Sequence, residues 1–317
     1  MSEALRVAVL QGGRSLERAV SLRSGAQVRD GLARLGHTAL PIDTDGRLVQ
    51  DLIAARADVA FVALHGRDGE DGTIQEVLEA LGIPYTGSAP AACVRATDKI
   101  LAKHLMRAAG IPTPAFFALH EAVVKELGGA DALPNIEAQL GFPMVVKPAR
   151  GGSALGVKFA RRGSELPGAM VGAFSYDTRI LVERHIKGRD LAVSIIEGER
   201  PEALPVVEAV PREEDFYDYE SRYGIGMTTF VCPAELEAET TARAQELALE
   251  VYALLGCRGF ARVDLMLEED TGELFVLETN VVPGLTETSL LPQAADAAGI
   301  GFDELLERIL ASALNRS

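Results

Sequence analysis

The sequence predicts an α/β fold, with a mainly parallel sheet in its N-terminal part and mixed α+β structure after it. In the N-terminal third, short apolar runs alternate with helix-like patterns, as in βαβ units. Further along, the apolar run 144–147 meets a glycine-rich loop and a second short strand. Near the C-terminal end, two apolar runs flank Asp270-Thr271-Gly272, a turn signal that predicts a β-hairpin.

The first predicted unit is a strand followed by a helix. Residues 7–10 are all apolar, which indicates a buried strand, and the chain then reaches Gly12-Gly13. Ser21 is the expected cap of the next helix, because a serine hydroxyl can accept a bond from a free backbone N–H. Gly36 is the expected end of that helix.

The second predicted unit repeats this order. Residues 59–64 form another buried strand, the polar glycine-rich loop 66–72 follows, and a helix with apolar i, i+3, i+4 spacing ends at Gly82. In open α/β sheets, ligands bind outside the carboxyl ends of the strands. Both glycine-containing loops are therefore candidate binding regions.

The middle of the chain begins a second unit. Thr97 is the expected cap of a helix over 98–109, and the prolines at 112 and 114 indicate a boundary. The strand 144–147 then leads into the loop 151–156, which carries three glycines.

The last part of the chain combines strands with two helices. Residues 191–196 form a predicted strand, and the aromatic, charged stretch 213–223 has no periodicity and is predicted as a loop. A long helix over 236–255 precedes the hairpin, whose strands are 261–267 and 274–277. The apolar stripe of a final helix starts at Phe302.

Charge and cysteine content exclude several classes of function. The 317 residues carry 31 Lys and Arg against 46 Asp and Glu, a formal charge of −15. Such a chain repels polyanions, so we expect neither a nucleic acid nor a membrane as its partner. The three cysteines form no CxxC pattern, which argues against a disulfide framework or a zinc site. We expect a cytoplasmic protein.

The predicted hairpin carries the most informative polar residues. Strand alternation puts Arg262 and Asp264 on one face, and Glu278 and Asn280 share a face of the next strand. A register that pairs Leu267 with Phe275 would set Asp264 opposite Glu278. Two carboxylates and an amide oxygen suit Mg²⁺ that also binds phosphate. A surface ion pair on a solvated sheet face is the alternative.

Two lysines are candidates for phosphate binding. Lys147 ends an apolar strand, where an unpaired charge would be costly to bury, and the 151–156 loop follows it closely. Lys99 lies in the first turn of its predicted helix. The loop could also be an ordinary hairpin turn and Lys99 a solvated side chain, because the sequence has neither GxxxxGK[ST] nor GxGxxG.

Several motifs, taken together and in order, resemble the D-alanine–D-alanine ligase family of the ATP-grasp superfamily. In the first half they are Gly12-Gly13-Arg14-Ser15-Leu16-Glu17-Arg18, Leu64-His65-Gly66, Gly69-Glu70-Asp71-Gly72, Tyr85-Thr86-Gly87-Ser88, Asp98-Lys99, Lys147-Pro148 and Gly152-Ser153. In the second half they are Phe216-Tyr217-Asp218-Tyr219, Tyr223, Arg262-Val263-Asp264, Glu278-Thr279-Asn280, Pro283-Gly284 and Ser289-Leu290. The resemblance covers essentially the whole chain.

The resemblance implies a three-part architecture and a reaction. It implies a Rossmann-like substrate domain over 1–95 and an ATP-grasp fold of two α+β subdomains over 96–182 and 183–317. It implies ATP-dependent, ADP-forming ligation of two D-alanine molecules through a D-alanyl phosphate, for cell-wall peptidoglycan. It further implies two Mg²⁺ ions, with Mn²⁺ as a substitute, and a homodimer.

The resemblance also implies site residues. The ATP-binding set that it implies is Lys99, Lys147, Gly151, Gly152, Ser153, Glu183, Asp190 and Arg222. The metal ligands that it implies are Asp264, Glu278 and Asn280. The catalytic set is Glu17, Ser153, Tyr223, Arg262 and Gly284, in which Arg262 and the Gly284 N–H stabilise the oxyanion. The substrate-binding set is Glu17, His65, Ser289 and Leu290. A structural role for His65 is the alternative.

Two other functions stay open at this point. The same chemistry could use another acceptor, D-lactate or D-serine, although Tyr223 favours an amine. A non-catalytic ATP-grasp-like binding module is the second alternative, and the presence of Lys147, Arg262 and Asp264 together argues against it.

Overall fold

The structure, a computed structural model, describes residues 4–211 and 228–315. The helices in those ranges are α1 (Arg18–Arg34), α2 (Leu48–Ala55), α3 (Thr73–Leu81), α4 (Pro90–Thr97), α5 (Lys99–Ala108), α6 (Glu121–Glu126), α7 (Leu133–Leu140), α8 (Leu166–Phe174), α9 (Ala238–Leu255), α10 (Leu290–Ala297) and α11 (Phe302–Leu314). Short 3-10 turns lie at Gly129–Ala132 and Gly163–Glu165.

The strands form three sheets, and their bounds follow the chain. They are β1 (Arg6–Gln11), β2 (Thr38–Asp43), β3 (Val59–Val62), β4 (Phe116–His120), β5 (Met144–Pro148), β6 (Lys158–Ala160), β7 (Arg179–Arg184), β8 (Gly188–Glu197), β9 (Pro201–Ala203), β10 (Val207–Pro211), β11 (Thr228–Val231), β12 (Phe260–Glu268) and β13 (Leu274–Asn280).

The first sheet is parallel, as the alternation of strands and helices predicts. Its order is β2-β1-β3, and both pairings are parallel. The strands β1 and β3 are the two buried apolar runs predicted from the sequence. The edge strand β2 was not predicted, because it is only partly buried and includes Pro41.

The second sheet is antiparallel, with the order β4-β7-β5-β6. Its apolar core lies between the sheet and α8, and includes Met144, Val146, Ile180 and Val182. The strand β5 and the glycine loop after it were predicted. The strand β7, which pairs with β5, and the edge strand β4, which pairs with β7, were not.

The third sheet has the order β11-β10-β8-β12-β13, and β9 pairs with β8. All its pairings among the described residues are antiparallel. One apolar core runs from the first sheet to the third and includes Val9, Phe61, Val193 and Phe260. The N-terminal layer is therefore packed onto the C-terminal sheet.

The β12–β13 register differs from the predicted one and still gives the predicted pair. Leu267 lies opposite Leu274, so the expected pairing with Phe275 is wrong. A bulge between Asp264 and Leu265 shifts the register by one residue, and Asp264 therefore lies opposite Glu278, as predicted. The bulge lies next to Asp264 and Glu278, two of the predicted site residues.

Two predicted helix caps are wrong. Glu17 occupies the cap position of α1, and Ser21 lies inside the helix, where its hydroxyl donates to Ala63 O at 2.7 Å. Asp98 caps α5 by accepting from the N–H of Leu101, whereas the Thr97 hydroxyl donates to Glu70 O. In both cases the hydroxyl bonds to a distant loop, which local sequence rules do not include.

The domain boundaries at 95/96 and 182/183 stay predictions. The last strand of the second sheet, β7, runs on to Arg184. No helix within the described parts of the chain has the length and apolar character needed to cross a membrane.

Candidate active site

A cavity of about 420 Å³ opens between the second and third sheets. Its walls come from β5, the loop after β5, the segment 183–190, and the hairpin strands β12 and β13. Seven of the predicted ATP and metal residues line it: Lys99, Lys147, Gly151, Glu183, Asp190, Asp264 and Glu278. The fold thus collects residues that lie far apart in the sequence.

A buried carboxylate, Glu183, lies between two lysines at one end of this cavity. Lys147 Nζ is 2.7 Å from its Oε1. Lys103 Nζ is 3.0 Å from its Oε2, at ion-pair distance but outside ideal hydrogen-bond geometry. Burial alone would raise the pKa of Glu183, but the two lysines hold it below the usual value. This end of the cavity therefore carries a charged, ordered acceptor.

Lys99 connects the glycine loop to the hairpin. Its Nζ donates to Gly151 O at 2.6 Å and lies 3.6 Å from Glu278 Oε2. Gly151 has a φ of +104°, which a residue with a side chain rarely adopts. A cation and a glycine turn therefore meet at the cavity wall, an arrangement that can receive a phosphate group.

The hairpin supplies an ion pair and three candidate metal ligands. The Arg262 guanidinium donates two bonds to the Asp264 carboxylate, at 2.7 and 2.8 Å. Asp264 lies opposite Glu278 and Arg262 opposite Asn280 in the β12–β13 pairing, so the four side chains share one face. Asn280 Oδ1 accepts from the N–H of Val282 at 2.9 Å.

This donor set suits a hard divalent cation that also takes phosphate oxygens. It offers two carboxylates and one amide oxygen, and all three are oxygen ligands. Within 4–211 and 228–315 no three His, Cys, Asp or Glu side chains are grouped to hold a metal on their own. A cation here would therefore depend on the amide oxygen and on its substrate for further ligands.

Glu17 and Ser153 join the N-terminal layer to the glycine loop. The Ser153 hydroxyl donates to Glu17 Oε1. A Cβ on Gly66, whose φ is +73°, would lie 2.5 Å from Glu17 Oε2, so glycine is required beside this carboxylate. Burial raises the pKa of Glu17, against the lowering effects of the Ser153 bond, Lys99 and Arg262.

His65 is buried, and both of its ring nitrogens contact protein groups. Nδ1 lies 3.0 Å from Val282 O and therefore donates, and Nε2 lies 2.9 Å from Ser24 Oγ. Ser24 Oγ also accepts from the N–H of Leu285 at 3.2 Å. Burial lowers the pKa of His65 to about 4, which keeps the ring neutral. His65 and Ser24 thus hold the backbone on either side of Gly284, at Val282 and Leu285. A contact between His65 and the substrate stays a prediction.

Gly284 and Ser289 lie side by side at the start of α10. A Cβ on Gly284 would be 2.5 Å from Ser289 Oγ. Ser289 occupies the helix cap position and accepts from the N–H of Thr286 at 3.0 Å, and Leu290 is the first helical residue. Backbone N–H groups at a helix start are suited to an anion such as a carboxylate.

Two predicted site residues, Arg222 and Tyr223, lie outside the described residues, as does the stretch 216–219. Two buried polar residues, Lys103 and Ser24, were not singled out from the sequence, and Glu70 was named there only as part of a motif, without a role. Lys103 had a visible signal, since it lies four residues after Lys99 and on the buried face of the same helix. Ser24 had none, because its partners are distant in the chain.

Comparison with known proteins shows what class of protein this fold and site belong to. The model of the D-Ala–D-Ala ligase C-terminus matches residues 105–311, and that of the N-terminus matches residues 47–88. The chain therefore belongs to the D-alanine–D-alanine ligase family, and the predicted family, fold and enzyme class are confirmed.

Individual relatives match over nearly their whole length. The D-alanine–D-alanine ligase of Geotalea uraniireducens is 43% identical over 308 residues, covering 97% of this chain and 95% of the relative. The ligase of Bacillus anthracis, solved in complex with ATP, is 34% identical with a TM-score of 0.82, covering 98% of each chain. The VanG D-Ala:D-Ser ligase of Enterococcus faecalis is 27% identical with a TM-score of 0.83, covering 98% of this chain and all of the other.

Proposed function

We propose that this protein joins two D-alanine molecules to form D-alanyl-D-alanine, with the conversion of ATP to ADP and phosphate. The γ-phosphoryl group passes to a carboxylate oxygen of the first D-alanine and ADP leaves. The amine of the second D-alanine then attacks the acyl phosphate, loses a proton, and phosphate leaves as the amide bond forms. The full-length relatives named for this reaction support the proposal.

The cavity of about 420 Å³ is the proposed ATP site. Lys99, Lys147 and the loop residues Gly151, Gly152 and Ser153 are assigned to the phosphates, because two cations and Gly151 line the cavity and the other two residues follow in the same loop. Glu183 accepts from the 6-amino group of adenine, and Asp190 binds the ribose hydroxyls. Arg222 is assigned to ATP from the resemblance alone.

Asp264, Glu278 and Asn280 are the proposed ligands of two Mg²⁺ ions, for which Mn²⁺ can substitute. When bound, the ions supply positive charge that neutralises the triphosphate during transfer. The oxygen-only donor set and its place on the cavity wall support this assignment. The same carboxylate of Asp264 orients Arg262, so the metal site and the ligation site share one residue.

Glu17 is the proposed partner of the first D-alanine's ammonium group. Its carboxylate lies beside Ser153, and both Lys99 and Arg262 act on it electrostatically, so it is close to the proposed phosphate groups. Tyr223 is proposed to complete this group. His65 is proposed to line the same subsite, with its neutral ring held by Ser24 and Val282.

Arg262 and the N–H of Gly284 are the proposed donors to the oxyanion that forms when the amine attacks. Donors fixed before the reaction stabilise such an intermediate without a reorganisation cost, and one donor contributes about 3–4 kcal/mol. Ser289 and the N–H of Leu290 bind the carboxylate of the second D-alanine. The contact of Gly284 with Ser289 supports this, because it puts the two subsites next to each other.

The bidentate Arg262–Asp264 pair is the single observation that carries the proposal. It joins a phosphate-side carboxylate on the cavity wall to an arginine near Glu17. A nucleotide site and a ligation site are therefore adjacent on one hairpin. An ATP-binding module without catalysis would not need this connection.

The test is release of ADP with each D-amino acid and with D-lactate, at millimolar Mg²⁺. We expect D-alanine-dependent ADP release with D-alanyl-D-alanine as the product. Asp264→Asn should abolish most of it, whereas Asp270→Asn, an exposed change in the turn of the same hairpin, should not. No ADP release with D-alanine would support the non-catalytic alternative.

The acceptor is tested in the same assay with mixtures. The likeness to a D-Ala:D-Ser ligase makes D-serine the acceptor to compare with D-alanine, alongside D-lactate. We expect the dipeptide of D-alanine to dominate. A majority of ester, or of D-alanyl-D-serine, would contradict the proposed acceptor and leave the first half of the reaction intact.

We further propose that the protein acts as a homodimer in the cytoplasm, in the synthesis of peptidoglycan precursors. The need for ATP and the reduced thiols of Cys93, Cys232 and Cys257 support a reducing compartment. The dimer rests on the family resemblance.

A further inference from the structure

A second lysine, Lys103, is buried beside Glu183 and has no role in the proposed reaction. It lies one turn after Lys99 on α5 and is 0% exposed. Its Nζ is 3.0 Å from Glu183 Oε2 and donates to Thr113 Oγ1 at 2.6 Å. The Thr113 hydroxyl itself donates to Val276 O at 2.8 Å, so its lone pair is directed at the ammonium group. Lys103 is therefore held on two sides.

Burying this ammonium group costs free energy, so its presence here needs a functional explanation. Burial is the main cause that lowers the pKa of Lys103 to about 8, even with Glu183 beside it. A methionine of similar length would fill the same space without that cost. Lys147 already pairs with the other oxygen of Glu183 at 2.7 Å, so neutralising one carboxylate does not by itself explain two lysines.

The two lysines differ in their access to the cavity. Lys147 and Glu183 line it, whereas Lys103 is behind Glu183 and does not. In the proposed reaction Lys147 binds phosphate, and it must then share or leave Glu183. Lys103 has no such alternative, because Thr113, Glu183 and the ring of Phe116, 5.5 Å from Nζ, surround it.

We propose that Lys103 is a positioning residue for recognition of the purine base. It keeps Glu183 negatively charged and in place once Lys147 turns to the triphosphate, so that Glu183 accepts a hydrogen bond from the 6-amino group of adenine. This inference rests on the proposed assignment of Glu183 to the base. A base with an oxygen at position 6 would instead bring a second acceptor against the carboxylate, which is unfavourable.

The test compares ATP with inosine triphosphate, which has that oxygen, in the unmodified enzyme and in Lys103→Met. We expect the KM for ATP to rise about tenfold or more and kcat to change by less than about threefold. The preference for ATP over inosine triphosphate, as a ratio of kcat/KM values, should fall by about tenfold. Lys125→Met, which removes an exposed lysine on α6, should change neither quantity.

A double-mutant cycle with Glu183→Gln tests whether Lys103 acts through Glu183. If it does, Lys103→Met should lower the ATP preference much less in the Glu183→Gln background than in the unmodified enzyme. Lys103→Gln, which can still bond to Thr113, should behave like Lys103→Met. If Lys103→Met does not fold, Lys103→Gln is used for the same measurements.

The outcomes distinguish a failure of this inference from a failure of the proposed assignment of Glu183 to adenine. If Glu183→Gln leaves the preference for ATP unchanged, the assignment of Glu183 to adenine is wrong. If Glu183→Gln lowers the preference but both Lys103 variants keep it, and lose only thermal stability, Lys103 is a structural residue and the inference is wrong. If the preference for ATP falls in Glu183→Gln and in both Lys103 variants, the inference holds.

Discussion

Two buried glutamates, Glu183 at the proposed nucleotide end of the site and Glu70 at the proposed ligation end, have opposite pKa shifts. Glu183 is 3% exposed and Glu70 is 8% exposed, so burial alone does not separate them. The lysines beside Glu183 lower its pKa. Burial and then the neighbouring Glu17 raise the pKa of Glu70 to about 8. Among the described residues, the group at ion-pair distance from Glu70 is His65, at 3.9 Å, and that ring is neutral.

The difference shows how the two ends of the site are built. At the nucleotide end, the buried carboxylate of Glu183 is paired with two buried lysines before any ligand binds. At the ligation end, acidic groups outnumber the nearby cations, and Arg262 pairs with a residue that is also a proposed metal ligand. The first end is suited to recognising one fixed shape, and the second to exchanging partners as charge develops in the reaction.

The largest expected effect is at the ligation end. Arg262→Ala should lower kcat by about a hundredfold or more and largely spare ATP binding, because the lost donor acts on the oxyanion. The measurements are kcat from ADP release and the Kd for ATP from equilibrium binding. Arg258→Ala, an exposed change just before the same strand, is the control. An equal loss of ATP affinity would show that Arg262 is a nucleotide residue instead.

A smaller effect is expected where the ligation end is supported from the N-terminal layer. Ser24→Ala removes the acceptor of the Leu285 N–H and the partner of His65. The loop that holds Gly284 then loses one support, and we expect kcat to fall by about threefold to tenfold while the KM for ATP stays the same. Ser312→Ala, on the last helix, is the matched control. An unchanged kcat would mean that the loop is positioned without Ser24.

The third prediction concerns the pH dependence of stability and separates the two glutamates directly. The pKa of Glu70 is about 8 in the folded protein, above its ordinary value of 4.5, so the folded state keeps a proton that the unfolded state has lost between those pH values. The contribution of Glu70 to stability therefore falls as pH rises through this window, by up to about 1.4 kcal/mol per pH unit. Glu70→Gln should flatten that dependence in denaturant unfolding between pH 5 and about 8.

The contribution of Glu183 to stability depends on pH with the opposite sign. Its pKa is lowered on folding, so its contribution is present above the unfolded value and is lost as the solution becomes acidic. Glu70→Gln should therefore leave the loss of stability below pH 5 in place while it flattens the slope between pH 5 and 8. If Glu70→Gln instead removed the loss in acid and kept the slope at higher pH, the contrast between the two ends would be incorrect.

The parts of the fold that depend on local sequence pattern could be predicted from the sequence. The buried strands around Val9 and Phe61, the long helix before Gly256 and the hairpin at residues 260–280 follow from apolar spacing and turn residues. The strands β2, β4 and β7 were missed, because their partly exposed or short apolar runs are not distinctive until they pair with neighbours.

The candidate site was also predictable in part. The order of motifs identified the family, and seven of the predicted ATP and metal residues line one cavity. The wrong caps at Ser21 and Thr97 have a common cause, since each hydroxyl bonds to a loop far away in sequence. The register of β12 with β13 was missed for a similar reason: a bulge after Asp264 is set by strand pairing and has no signal in composition.

The sequence by itself determined the class of fold and the family, and it indicated which charged and glycine residues are candidates for the chemistry, because these depend on residue type and order along the chain. Only the tertiary structure decided the charge state of each buried group. Glu70 and Glu183 are the same residue type with similar burial, and their pKa values diverge because one lies beside two lysines and the other beside Glu17. Electrostatic energy depends on distances in space between residues that the chain keeps far apart, and folding sets those distances.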